Sequence, residues 1–505
     1  MKYGPIRWPL AKDPELTPPG GRSMLAASVV MVVVGILIAL AASISGQNER
    51  REGDVQRKWK DLFYWQSEVS QAKLAVQAAA TSPDPAATQA AATALATAEK
   101  NVGEIEHRGI ISYARPGRQF TQWDGYRYEE IIDGGYVYHL PSDPPEVKED
   151  SHMRWNNEPE KRTKNVVWYP LYPAVAWLVM KASALTAWPL TSTSALTAVS
   201  WVCALAGAAI TFLMVRRHFF TRAAALGAGA GELQGRSPWD DAALWTVAFV
   251  FFGPCGIFYY ANFTESLFIL LFAGFLYCIQ SRWWWRAALI AAVASSCRSQ
   301  GVMFGPILAM SYLVRARDEH IAKRITVAGA LGCVSAVGLL CYVAYLQVKF
   351  GDPLAFMHAQ KHWNVGMDMK RLLYAANPTH VWEHLTTYAW RTGTTGWPRL
   401  WEGICLVWPP ILLLAFGWRY LSLEMNVVGW ILWGLPFVSN SMAGYPPFDS
   451  QWMSMGRFMA AALPLQVIMG GLAGRFRWLG PVMLVASVAV FAYFSYKYGA
   501  GAWIG

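Results

Sequence analysis

Four ionisable side chains lie in short motifs at the expected exterior ends of apolar runs. Asp124 lies in Trp123-Asp124-Gly125-Tyr126, and Glu265 in Asn262-Phe263-Thr264-Glu265-Ser266. Arg298 lies in Cys297-Arg298-Ser299-Gln300-Gly301, and Arg457 in Met455-Gly456-Arg457-Phe458. A carboxylate within hydrogen-bond reach of a hydroxyl can take its proton as a general base. Asp124 suits that role; the alternative is a plain Asp-Gly turn. Glu265 reads as a second carboxylate facing Asp124. Alternatively, Asn262 and Glu265 form a capping box at a helix start. Asn262-Phe263-Thr264 also matches the acceptor pattern for N-glycosylation. An arginine at membrane depth is costly and marks a functional site. Its planar fork can grip a phosphate through two bonds. The alternative for Arg298 is a side chain snorkelling from a helix end. Arg457 heads a helix, where the dipole disfavours a cation, so an anionic partner is expected.

The elements that position these residues are apolar runs. Runs at 24–45, 190–214, 242–260, 264–281, 286–297, 298–314, 324–347, 401–418, 425–441, 457–473 and 478–498 give about eleven expected transmembrane helices. Inside lipid the backbone must satisfy its own hydrogen bonds, so these runs are read as helices. Lys2, Arg7, Lys12 and Arg22 place the N-terminus in the cytoplasm. Counting spans then puts Arg216, Arg217, Arg222, Arg282, Arg286, Arg315, Arg317, Arg324, Arg419, Arg475 and Arg477 on that same side. The chemistry-bearing motifs fall on the opposite side. The run 167–186 is broken by Pro170 and Pro173 and reads as a re-entrant or interfacial helix. Arg298, Gly301 and Pro306 argue for an interruption within 286–314.

The chain has 505 residues, 54% hydrophobic and 15% charged, which indicates an all-α polytopic membrane protein and excludes a soluble enzyme. The first apolar run is too long for a cleaved signal and reads as a permanent anchor. The net charge of +10 is taken up by the cytoplasmic loops, and no basic face suggests nucleic acid as a partner. The seven cysteines lie in or beside apolar runs, without a disulfide framework or metal-binding spacing. No resident cofactor is expected, although a divalent metal stays open. No nucleotide-cradling glycine loop is present, which argues against a cytoplasmic nucleotide as substrate.

The expected organisation is a cytoplasmic N-terminus at 1–23, a first span at 24–45 and a large exterior loop at 46–166. Then come a transmembrane module at 167–347, an exterior basic loop at 348–400 and C-terminal transmembrane helices at 401–505. Within 46–166, helix formers on either side of Ser82-Pro83-Asp84-Pro85 predict a helical hairpin over 54–107. Trp59, Leu62, Phe63, Val69, Leu74 and Val76 would give its first helix an apolar stripe suited to packing or a protein partner. The remainder, 108–166, is irregular. The loop at 348–400 carries Lys349, His358, Lys361, His362, Lys370, Arg371, His380, His384, Arg391 and Arg399. An exterior loop this basic runs against the positive-inside bias, and binding of anionic groups would explain it.

WDGYRYEEIIDGGY (123–136), WYPLYP (168–173), NFTESLF (262–268), CRSQG (297–301), FGDPLAFMHAQKHW (350–363) and SMGRFMAAALPL (454–465) occur here in order. Together they resemble bacterial relatives of GPI mannosyltransferase II, the PIG-V-like family of GT-C glycosyltransferases, over about 120–470. The resemblance implies a GT-C-type fold and an exterior active site, with 108–166 as the catalytic segment. It also implies inverting transfer of a sugar, mannose in that family, from a polyprenyl-phosphate donor to a lipid or glycan acceptor. In that family the Asp of the WD motif is the base, which maps to Asp124; the TES and RSxG motifs map to Glu265 and Arg298. Asp124 and Glu265 are then the candidate catalytic residues, and Trp123, Arg298, His358, Gln360, Lys361, His362 and Arg457 the candidate substrate-binding residues. The motif reads Arg-Ser-Gln-Gly here, and the hairpin at 54–107 lies outside the family pattern. The expected location is a bacterial inner membrane with the site facing the periplasm, or an ER membrane in a eukaryote. The rivals are a lipid or glycan transporter or flippase, and a non-catalytic envelope scaffold.

Overall fold

The computed structural model describes residues 22–81, 84–107, 118–138, 165–225, 238–360, 409–439 and 455–500. Among these residues every regular element is a helix. In chain order they are α1 (Arg22–Ala79), α2 (Pro85–His107), α3 (Asp124–Gly134), α4 (Leu171–Ser183), α5 (Ser192–Ala225), α6 (Pro238–Phe251), α7 (Glu265–Gln280) and α8 (Trp284–Ser295). There follow α9 (Phe304–Arg315), α10 (Ile321–Ser335), α11 (Val337–Phe350), α12 (Ala355–Gln360), α13 (Leu423–Ser439), α14 (Met455–Ala460), α15 (Leu463–Arg475) and α16 (Leu479–Gly499). Residues 409–417 are also helical.

Among the described residues, three stretches are long and apolar enough to cross a membrane: Arg22–Glu52 in α1, Ser192–Ala223 in α5, and α16. The pair α10 and α11 passes the same test together, bent by 46°. The bend has a local cause. Ser295 of α8 inserts its hydroxyl into the first turn of α11 and accepts from the Leu339 N–H at 3.0 Å. A side chain entering the helical ladder is a standard origin of kinks. The other apolar runs form shorter helices. The 13 residues of α4 rise about 20 Å, short of the ~30 Å hydrocarbon core. The run 286–314 is interrupted between α8 and α9 at Arg298 and Gly301. A Cβ on Gly301 would strike the backbone of Ala294, so the chain can reverse there only without a side chain. The run 457–473 also breaks, between α14 and α15.

α1 continues well past its apolar stretch and folds back into α2, against which it packs. Asp84 caps α2, accepting from the Ala86 N–H at 2.9 Å, and Pro85 takes the first helical position. Leu62, Val69 and Val76, seven residues apart, are half-buried on this helix. Trp59, Phe63 and Leu74, read with them as one stripe, are instead 67%, 78% and 66% exposed. They fall off the heptad seam, so the apolar residues of α1 occupy two faces.

The centre is built from α5, α6, α7 and α15. Aromatic rings fill it: Phe275 and Phe304 stack at 4.5 Å, with Phe268 and Phe272 alongside. α16 closes against α1. Gly46 and Gly499 allow the backbones to approach, since a Cβ on either would strike the other helix, and the Ser43 hydroxyl donates to Ser495 O at 3.1 Å.

The helices are chemically polarised. At one end Arg216 of α5 pairs with Asp240 of α6, Arg315 of α9 with Glu424 of α13, and His218 of α5 lies 2.8 Å from Tyr420 O. The opposite ends of α5, α7 and α9 carry Thr193, Glu265 and the Arg298 turn.

Candidate functional site

Asp124 is the first residue of α3, where the helix dipole favours a carboxylate. The segment before it is pinned by Asn262, from the turn that precedes α7, and by Tyr498 of α16. Phe120 O accepts from the Asn262 N–H at 2.9 Å and from the Tyr498 hydroxyl at 3.0 Å. The Gln122 N–H donates back to the Tyr498 oxygen at 3.2 Å. Asn262 Nδ2 donates to Thr121 Oγ1 at 2.5 Å, while Asn262 Oδ1 accepts from Thr197 at 2.8 Å. Trp123, at the cap of α3, has φ 51° and ψ −115°, in the left-handed half of backbone space that a Trp rarely enters. Strain of this kind persists where the surroundings over-determine it, and it clusters at functional sites.

Glu265 is the first residue of α7 and is completely buried. Its Oε1 accepts from Arg298 Nη1 at 2.6 Å and also from Arg457 Nε. Arg457 Nη1 reaches on to Asp124 Oδ2. The four residues singled out by type thus form one continuous chain: Arg298, Glu265, Arg457, Asp124. The two carboxylates differ. Glu265 is sealed, whereas the Asp124 side chain is 25% exposed. Asp124 Oδ1 holds no hydrogen bond within the described residues, so it stays free to meet a ligand. The arginines lie against rings: Arg457 is 4.7 Å from the Phe263 centroid, and Arg298 is 5.2 Å from that of Phe458. Arg298 Nη2 is buried and has no hydrogen-bond partner among the described residues.

No protein-family model matches this chain, and no curated protein does. The motif resemblance therefore stands on the residues themselves, and the geometry has to carry the argument.

Two alternatives are resolved at Asn262 and Glu265. Neither makes a capping box: Thr264 caps α7 without a side-chain bond, Asn262 serves Thr121 and Thr197, and Glu265 serves the arginines. Asn262 is also fully buried, which withdraws it as a glycosylation acceptor in this fold. The anionic partners expected for Arg457 are Glu265 and Asp124.

The basic loop contributes differently. His358, on α12, bonds through Nδ1 to Asp352 Oδ2 at 2.8 Å, and the Tyr138 hydroxyl donates to the same oxygen at 2.9 Å. Burial alone would raise the Asp352 pKa, but the bonds from His358 and Tyr138 bring it below the usual carboxylate range. α12 packs on a separate apolar cluster around Val166, Tyr169, Tyr342 and Phe356. Among the described residues no hydrogen bond or ion pair joins His358 to the Arg298–Asp124 chain. Gln360 ends α12, and Lys361 and His362 lie outside the described residues. Among the described residues no group of three or more His, Cys, Asp or Glu is arranged for a metal.

Sequence reasoning passed over Tyr128 and Tyr498. Tyr128 sits one turn after Asp124 and is 3% exposed. Its position four residues on from Asp124 is the signal that could have found it. Burial raises its pKa well above the normal phenol value, and the nearby Arg457 lowers it by less, so the hydroxyl keeps its proton. Tyr498 carries no local signal, because its partners lie more than 370 residues away.

Proposed function

We propose that this chain is a membrane glycosyltransferase of the GT-C type. It moves a sugar, mannose on the motif resemblance, from a polyprenyl-phosphate donor to a lipid or glycan acceptor with inversion. The observation that carries the reading is the linked set Arg298–Glu265–Arg457–Asp124, with one open carboxylate and one unpartnered guanidinium nitrogen. Asp124 Oδ1 takes the proton of an acceptor hydroxyl, and the oxygen attacks the anomeric carbon. The bond from that carbon to the phosphate oxygen breaks. Arg298 and Arg457 offset the charge that develops on the departing lipid phosphate. Glu265 fits a positioning part better than a catalytic one, because it is sealed and both its ion pairs go to arginines.

The apolar helices support a membrane location. The finer arrangement is part of the proposal: about eleven spans, some broken, with the arginine-bearing helix ends in the cytoplasm and the Asp124 site exterior, in a bacterial periplasm. Cysteine labelling at Ala230 and Ser142 in a cysteine-free background should report opposite sides; labelling from one side would sink that topology. The broken helices favour a transporter as the second reading. It predicts lipid movement without sugar transfer. The test is the purified protein in nanodiscs, offered a panel of polyprenyl-phosphate sugars and lipid acceptors. Release of polyprenyl phosphate from one donor is expected. No release from any donor, with lipid translocation in vesicles, would replace the transferase by the transporter.

A further inference from the structure

Tyr128 is the part of the site that the chemistry above leaves unused. Tyr128 and Asp124 are four residues apart on α3, so their side chains stand on one face. The Tyr128 ring meets the Tyr172 ring edge-on at 5.0 Å. Tyr172 is itself fixed, its hydroxyl donating to Leu196 O at 3.0 Å and lying 2.7 Å from Ser200 Oγ. The buried tyrosines nearby, Tyr172, Tyr259, Tyr260 and Tyr498, each place the hydroxyl on a partner. The Tyr128 hydroxyl has no hydrogen-bond partner among the described residues. It nevertheless lies close enough to interact electrostatically with Arg457, Asp124, Glu265 and Arg298.

Two donors are therefore left without a partner among the described residues: Arg298 Nη2, which is sealed, and the Tyr128 hydroxyl, which is not sealed and so stays reachable. A sealed donor without an acceptor is unfavourable, and Arg298 Nη2 calls for a group that supplies one, whether water, an ion or a ligand. Glu265 does not serve them in this structure: its Oε1 takes two guanidinium bonds and its Oε2 faces the Thr264 hydroxyl at 3.5 Å. The group that answers both donors is rich in acceptors and brings no competing donor. A phosphate ester dianion has that character and that charge.

We infer that Tyr128 is a ligand-contact residue whose hydroxyl donates a hydrogen bond to a phosphate oxygen of the molecule held by Arg298. This deepens the transferase reading and rests on it in one respect, that the ligand carries a phosphate. The contact orients the phosphate above Asp124 and is present before and during transfer, so its loss raises KM more than it lowers kcat.

The experiment measures binding of farnesyl phosphate and farnesol to the full-length detergent-solubilised protein. Tyr128→Phe removes one oxygen and keeps the ring against Tyr172. A hydrogen bond to a charged group corresponds to about 10- to 100-fold in affinity. Tyr128→Phe should lose about that much for farnesyl phosphate and nothing for farnesol. Equal farnesyl phosphate affinity in the variant and wild type overturns the Tyr128 assignment and leaves the transferase reading standing. A wild type that binds farnesyl phosphate no tighter than farnesol removes the phosphate, and both fall. Should Tyr128→Phe fail to fold, 3-fluorotyrosine placed at position 128 gives a second readout. Its fluorine resonance should move with farnesyl phosphate and stay still with farnesol; a resonance unmoved by the phosphate overturns the inference.

Discussion

Replacing Glu265 by Gln keeps the side-chain volume and removes the charge that two buried arginines share. Glu265 is 0% exposed and Arg298 is 6% exposed, so water cannot take over the lost contact. Removing one partner of a buried ion pair costs about 3–5 kcal/mol, because the remaining charge stays desolvated. Arg457 keeps Asp124 as a partner. Arg298 keeps no other carboxylate contact among the described residues. One guanidinium rather than two is stranded, which sets the expected loss near the lower bound, about 3 kcal/mol. The assay is equilibrium unfolding in mixed micelles, run as a cycle with Arg298→Met and the double variant. Arg298→Met leaves Glu265 paired to Arg457 and should cost less. In the double variant no guanidinium is stranded at position 298, so it should be more stable than the sum of the singles by about 2 kcal/mol, within the range for contacting pairs. Additive costs, or a Glu265→Gln protein within about 0.5 kcal/mol of wild type, would refute the buried-pair reasoning.

Three further outcomes follow from packing and hydrogen bonds. Gly301→Val drives a side chain into the Ala294 backbone and should destabilise by about 1–3 kcal/mol or more, read in the same unfolding assay. Tyr498→Phe strands the Gln122 N–H and should cost about 1–3 kcal/mol; wild-type stability would mean that α16 does not pin the Asp124 segment. Asp84→Ala removes the α2 cap and should weaken the hairpin by about 1 kcal/mol, seen as faster amide exchange at the start of α2 with no change near Asp124.

How much of this was legible depended on whether a residue's meaning is local. Asp124, Glu265, Arg298 and Arg457 declare themselves because each is an ionisable residue in a short motif beside an apolar run. Their joining into one chain does not: Arg457 and Asp124 are 333 residues apart, and only the packing of α3, α7 and α14 brings them together. Asn262 and Glu265 show the converse, a local capping pattern, one of two readings open in the sequence, overridden by distant partners. The interruption before α9 was readable because Gly301 and Arg298 sit within it. The bend at Ala336 was not, because its cause is a serine on another helix. On α1 the apolar residues were correctly placed on a helix but assigned to one stripe. The heptad spacing of Leu62, Val69 and Val76 separates them from Trp59, Phe63 and Leu74, and that distinction was available in the sequence.

The most direct measurement compares Asp124→Asn with wild type in reconstituted vesicles, following sugar transfer from a polyprenyl-phosphate donor. Asn keeps the shape and can still accept from Arg457, so folding should survive while the base is lost. Loss of a general base lowers turnover by about 10²–10⁴-fold. The account predicts a fall of that size, with donor binding and unfolding midpoint near wild type. Turnover within a few-fold of wild type would contradict it and return Asp124 to the status of a turn residue.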